Sequence, residues 1–224
     1  MDNTGDNTWG HLAPTSHFGS PTDSCHFKYL EKVDVKSEKY REYTHASHCM
    51  IYAKHDSCAF GIYKYRAAIL MHMRFDGLIG FPGGLVDDGE DLVDAVNREL
   101  REEMQLDTTK YSIQEEHHMV SHVQESTKLC VHFFAREIDL KDLCTIEGNC
   151  LKAPDYGEEV LGTFRVPLYT MGDGLRGFPA FLSHSFIGNA REQLLLTLEK
   201  LGILNSEEIS TAVANSLEVS KERK

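Results

Sequence analysis

Apolar positions along the chain alternate between short continuous runs and spaced stripes. Cys49-Met50-Ile51-Tyr52-Ala53 and Arg66-Ala67-Ala68-Ile69-Leu70-Met71-His72-Met73-Arg74 are runs of strand length bounded by polar or turn residues, and both predict strands. Residues 76–84, with Gly77, Gly80, Pro82, Gly83 and Gly84, predict a loop. From Asp91 to Met104, Leu92, Val93, Val96, Leu100 and Met104 recur at helical spacing, so a helix follows that loop. Leu129–Ala135 and Glu159–Val166 read as strands, the second ended by Pro167. A second helix is predicted from Gly188 to Leu201, carrying Leu194, Leu195, Leu198 and Leu201 and stopping at Gly202. Strands mixed with helices give an α/β class, a sheet with helices packed on it, and no internal repeat points to a solenoid.

The flanks have a different texture. Residues 1–24, rich in Asn, Thr, Ser, Gly, Pro and His without periodicity, predict a disordered leader. Residues 25–44 carry charges of both signs and predict an exposed lead-in, helical in part. Residues 205–224 form a charged C-terminal tail with one modest helical pattern, expected to fray. The folded domain is therefore expected over 25–204.

Composition narrows the class further. With 224 residues, 41% apolar and 26% charged, the chain suits one domain whose core needs neither disulfide nor structural metal. A formal net charge of -12 excludes a nucleic-acid coat protein with a general basic surface, though not a local basic groove. The N-terminus is acidic where a secretory signal would be basic, and no apolar run approaches the roughly 20 residues that span a bilayer. An intracellular protein with no membrane partner is expected, its six cysteines reduced and without a CxxC pair.

One stretch carries chemistry: Gly84-Leu-Val-Asp-Asp-Gly-Glu90, seven residues, then Arg98-Glu99-Leu100-Arg101-Glu102-Glu103-Met104-Gln105-Leu106. On a helical wheel Glu103 lies about 40° to one side of Glu99 and Glu102 about 60° to the other, so three carboxylates share one face. Val96 and Leu100 fall beside Glu103, which sets the carboxylates at the rim of the core. Clustered carboxylates repel unless neutralised, and hard oxygen ligands suit Mg²⁺ or Mn²⁺. An acidic surface helix laced by pairs such as Arg98 with Glu102 is the bland alternative. Six fixed identities (Gly84, Glu90, Arg98, Glu99, Glu102, Glu103) at these spacings make it a poor one.

These residues resemble the Nudix box, Gly-x5-Glu-x7-Arg-Glu-U-x-Glu-Glu-x-Gly-U with U aliphatic, Leu100 and Leu106 supplying both U positions. The final Gly is Gln105 here, which implies either about 1 kcal/mol of left-handed strain or a different helix end. Over roughly residues 45–204, strings such as Met73-Arg-Phe-Asp-Gly77, Gly80-Phe-Pro-Gly-Gly84, Arg165-Val-Pro-Leu-Tyr-Thr170 and Ala190-Arg-Glu-Gln-Leu-Leu195 are similar to the animal snoRNA-decapping Nudix hydrolases. A related branch of that subfamily has lost its box carboxylates and serves as a binding protein. This chain keeps Glu99, Glu102 and Glu103.

The resemblance implies a Nudix fold, an α/β/α sandwich with a mixed sheet, and a hydrolase that uses two or more Mg²⁺ or Mn²⁺ ions. It implies metal ligands at the Gly83 carbonyl, Glu99 and Glu103, with His122 a further position near the metals. Glu102 and Glu159 would act as further ligand or general base, so the catalytic set is Glu102, Glu103 and Glu159. His48, Arg74, Phe81 and Gln193 would hold the purine and the phosphates. Implied substrates are capped RNA, snoRNA and also mRNA, and purine nucleoside diphosphates such as (deoxy)inosine diphosphate, handled by a homodimer in nucleolus, nucleoplasm and cytoplasm. Apart from the resemblance, Arg74 offers a fork suited to phosphate, and Phe81 reads equally as a stacking platform or a core aromatic. A nucleotide-pool diphosphatase without an RNA role and an RNA-binding module without turnover are the competing readings.

Overall fold

The structure, a computed structural model, describes residues 26–35 and 37–222. The expected leader, 1–24, lies outside the described residues. The rest is built on an eight-stranded mixed sheet whose main path runs β1-β6-β7-β2-β3-β4, with β5 paired to β2 and β8 to β3.

Strand β2 (Thr44–Ala59) is the spine of that sheet. It pairs antiparallel with β3 (Tyr63–Arg74), Tyr52 opposite Ile69, and parallel with β7 (Leu129–Glu137), Thr44 opposite Leu129. The predicted run Cys49–Ala53 is only its apolar middle. Hydrogen bonding to three neighbours extends the strand through His45, Ser47, Lys54 and His55, where apolarity gives no signal. Residues 76–84 are not wholly a loop, since β4 (Ile79–Gly80) pairs with β3 and β5 (Gly83–Leu85) with β2.

Strand alternation divides the core into two layers. Cys49, Ile51, Leu70 and Phe134 point to one face and meet Val96, Leu100 and Met104 of helix α3 (Leu92–Met104) and Leu143 and Ile146 of α5 (Leu140–Asn149). Met50, Ile69, Met71 and Phe133 point to the other and meet α6 (Phe178–Leu182), α7 (Ala190–Lys200) and α8 (Ser206–Glu222). Helices on both faces of a mixed sheet form the α/β/α sandwich.

Four segments differ from expectation. In the lead-in, α1 (Lys32–Val35) and α2 (Glu38–Arg41) are helical as expected, but β1 (Lys28–Leu30) joins the sheet beside β6 (His118–Gln124) and buries Leu30 against Val123 and Cys130. Where fraying is expected, α8 is a 17-residue helix that buries Ala212, Ser216 and Val219 and is clamped to β3 by Arg66 gripping Glu208. Strand β6 and helix α5 have no counterpart in the sequence reading, because polar residues dilute their apolar pattern. A short helix, α4 (Thr108–Tyr111), follows α3, and β8 (Val160–Arg165) closes the sheet against β3.

Candidate active site

Helix α3 starts where the Asp91 carboxylate accepts the Val93 N–H at 2.9 Å, a side-chain cap on an otherwise unpaired donor. It ends at Gln105 in the left-handed conformation, φ 53°, whose N–H reaches Arg101 and Leu100 carbonyls while Leu106 N–H bonds back to Leu100. The helix therefore ends as the Nudix box requires, with Gln105 bearing the strain that glycine would avoid.

The α3 carboxylates meet a chain turn that only glycine allows. Gly83 has φ +133°, and a Cβ there would stand 2.2 Å from the Ser47 carbonyl oxygen. A Cβ on Gly84 would stand 2.6 Å from Glu99 Oε1. With both side chains absent, Gly83 N–H donates to Glu103 Oε2 at 2.7 Å and Glu99 lies over Gly84.

Arg98 ties the box together. Its Nε and Nη2 fork onto both oxygens of Glu90 at 3.0 and 3.1 Å, and Nη1 bonds Glu99 at 2.8 Å and Glu102 at 3.0 Å. Nη2 also donates to the Leu85 carbonyl, fixing the glycine turn to the helix. The i,i+4 bond to Glu102 is thus one strand of a larger net.

One guanidinium does not neutralise this much charge. Burial pushes the Glu103 carboxyl up to about 8, the neighbouring charges of Glu99 and Glu159 adding to it against the Gly83 N–H. Burial likewise pushes Glu99 up to about 7, opposed by Arg98 and aided by Glu102 and Glu159. Glu159 joins the cluster from the start of β8, its carbonyl held by the Phe75 N–H at 3.0 Å. Among the described residues no three His, Cys, Asp or Glu side chains already converge as a finished metal cage. The donor chemistry nonetheless fits a hard divalent cation, which would offset the burial and the mutual repulsion that hold these carboxyls above their usual range.

Arg74, at the end of β3, stands between the carboxylates and the opposite face. It grips Asp76, Nη2 to Oδ2 at 2.9 Å, and its charge bears on both Glu103 and His48, lowering each. His48 lies opposite Gly83 and Phe133 in register, and burial pushes its ring down to about 4. Its Nδ1, with Gln193 Nε2 and Asn189 Nδ2 on the α7 side, is buried without a hydrogen-bond partner among the described residues. Unsatisfied donors and acceptors of this kind are what a bound purine or phosphate would complete.

Two further expected positions lie in or beside the sheet. Phe81 is 4% exposed, its ring beside that of Phe133 with centroids 4.7 Å apart. His122 pairs with Val131 in the sheet, on the face that carries Val120 and Phe133. Burial and the charge of Lys200 lower its ring to about 4, and its Nδ1, like that of His48, is buried without a hydrogen-bond partner among the described residues. Conversely, sequence reading passes over His72, which stands 3.7 Å from Glu103. The signal available for it is its place as a polar residue inside an apolar strand.

The family described as "Nudt16-like: U8 snoRNA-decapping enzyme-like" matches residues 45–204. The chain is 56% identical over 180 residues to a U8 snoRNA-decapping enzyme of Homalodisca vitripennis, covering 80% of this chain and 96% of the relative. It is 45% identical over 162 residues to the Bos taurus protein of the same name, covering 71% and 83%. It is also 39% identical over 181 residues to the Tudor-interacting repair regulator protein of Homo sapiens, covering 80% and 84%. Among solved structures, a mutT/nudix family protein from Listeria innocua aligns at 15% identity with TM-score 0.47, covering 71% of this chain and 94% of that one.

Proposed function

The chain belongs to the Nudix hydrolases of the U8 snoRNA-decapping type, and from that premise we propose that it cleaves the phosphoanhydride of an RNA cap with the help of Mg²⁺ or Mn²⁺. The observation that carries this reading is the buried Glu99–Glu103 pair against the Gly83 turn, faced by Glu159 and short of positive charge. Glu99, Glu103 and the Gly83 carbonyl would hold the metals, two or more ions. Bound there, such ions would supply charge for the bridging oxygen and lower the pKa of a water.

The chain's own groups do the rest. Arg98 fixes Glu99 and Glu102 so that neither drifts towards solvent. Glu102 and Glu159 serve as further ligand or general base, the base taking the proton of the attacking water. Arg74 orients the phosphates, and His48 and Gln193 take the purine through their unsatisfied ring and amide nitrogens. Water adds to one phosphorus of the anhydride and the bridging oxygen leaves with the other, giving a capped nucleoside diphosphate and a 5′-monophosphate RNA. The proposal extends to (deoxy)inosine diphosphate and capped mRNA as further substrates, to a homodimer, and to a nuclear and nucleolar setting with a cytoplasmic share. Phe81 joins the purine contacts, and His122 is a further position near the metals.

Two competitors have an observation each. A net charge of -12 favours a nucleotide-pool diphosphatase that never meets RNA. Similarity to a protein named for interaction rather than hydrolysis favours a binding module. Mass spectrometry of products after incubation with methylguanosine-capped RNA and Mn²⁺, with Glu103→Gln as blank, separates all three. Release of 7-methyl-GDP with monophosphorylated RNA supports decapping. Cleavage of inosine diphosphate alone supports the first competitor, and no cleavage of either supports the second.

A further inference from the structure

His72 interrupts the apolar centre of β3, held in register between Gly80 of β4 and Thr163 of β8. It is 1% exposed, and neither ring nitrogen has a hydrogen-bond partner among the described residues. Burying a polar group unsatisfied is costly, so a ring left in this state needs a reason. The nearest opposite charge is Glu103 Oε2, 3.7 Å from Nδ1. That oxygen already accepts the Gly83 N–H at 2.7 Å.

We infer that His72 is a positioning residue for Glu103: its neutral ring N–H, together with the Gly83 N–H, holds Oε2 from the protein side so that the other carboxylate oxygen faces the metal. A carboxylate oxygen has room for two donors. The 3.7 Å separation exceeds a hydrogen bond, and since the sheet fixes His72 on both sides, closing it falls to the Glu103 side chain. When a cation draws on one oxygen of Glu103, the other is left for donors behind it, and His72 is the side chain standing there. No change in protonation of either group is involved. A partner that orients a ligand in this way is typically worth about 10–100-fold in metal affinity.

The inference rests on the proposed metal role of Glu103, and the test separates the two. Mn²⁺ is titrated into substrate-free protein, and free ion is read by electron paramagnetic resonance for wild type, His72→Asn and His72→Met. Asparagine keeps an N–H donor at the place of Nδ1, whereas methionine fills the space without one. Expected is a loss of Mn²⁺ affinity of about 10–100-fold in the methionine variant, with kcat at saturating Mn²⁺ lowered and KM little moved. Asparagine should restore both to within about threefold of wild type, well inside the loss assigned to the missing donor. Equal Mn²⁺ affinity in the methionine variant overturns the inference, as does an asparagine variant that loses as much as methionine. Should methionine fail to fold by circular dichroism, His72→Leu, which also carries no donor, replaces it under the same criteria. A wild type that binds no Mn²⁺ overturns the metal reading itself.

Discussion

The two faces of the sheet near Gly83 handle polar groups in opposite ways. Towards α3, the carboxylates of Glu90, Glu99, Glu102 and Glu103 are tied by Arg98 and a backbone N–H into fixed positions, yet carry more negative charge than they balance. Towards α7, His48, Gln193 and Asn189 carry no net charge and present polar atoms without partners. The first face is pre-organised and electrostatically frustrated, the second uncharged and under-bonded. A cation relieves the first and an uncharged planar ligand the second. The difference teaches that the proposed metal and base would be recognised by different physics on the two faces, so changes on one face should leave the other largely intact.

Breaking the charged face should give the largest effect. Glu103→Gln, nearly isosteric, is expected to lower kcat by more than about 1,000-fold, or about 4 kcal/mol of barrier, with an unchanged circular dichroism spectrum. Steady-state kinetics with Mn²⁺ measures it. Next in size is Gly83→Ala, which drives a Cβ into the Ser47 carbonyl at positive φ. It should cost roughly 3 kcal/mol or more of stability by urea unfolding.

The frustration itself is visible in pH. Glu99 and Glu103 are held at about 7 and about 8, above an unfolded value near 4.5, so the folded state binds more protons across that window. Metal-free stability contributed by the protonated forms is complete below about pH 4.5 and is lost as pH rises through about 8. Thermal melting from pH 5 to 8.5 should show a falling Tm in chelator that Mn²⁺ flattens. A Tm that rises over this range in chelator would contradict the buried-charge picture.

On the under-bonded face, Gln193→Ala should raise KM for the nucleotide about tenfold, the worth of one buried hydrogen bond, while kcat stays within about threefold. A kcat loss as large as that of Glu103→Gln would erase the division between faces. The smallest expected effect is Gln105→Gly, which relieves a left-handed residue at φ 53°. A gain of about 1 kcal/mol without a change in kcat/KM is expected.

How much of this was legible in the sequence depended on whether a residue's role is local. The box glutamates were readable because helical spacing alone puts Glu99, Glu102 and Glu103 on one face beside Val96 and Leu100. The two helix-bearing layers followed from apolar stripes of α3 and α7. Strand β6 escaped notice because four of its residues, His118, Ser121, His122 and Gln124, are polar, and pairing with β7 rather than apolarity makes it a strand. Helix α8 escaped because its burial is thin, Ala212, Ser216 and Val219 along 17 residues. Phe81 was undecided in sequence because a buried and a stacking aromatic look alike until a neighbour such as Phe133 is known. His72 could be recognised only once β3 lay under α3, since its meaning comes from Glu103 and not from its neighbours in the chain.

The pairing of β2 with β7 also sets the order in which the molecule can come together. Thr44 through Tyr52 run parallel to Leu129 through Glu137, so the strand that seats Gly83 and His48 gains the partner on its other edge only after a long stretch of chain has been made. Parallel pairing between distant segments is slow, because the loop must close before any contact rewards it. The carboxylate helix lies inside that loop and can coil early, but the Glu159 that faces it comes later still. A chain emerging from the ribosome therefore carries every residue of the box well before it carries an active site, and hydrolysis waits on completion of the sheet.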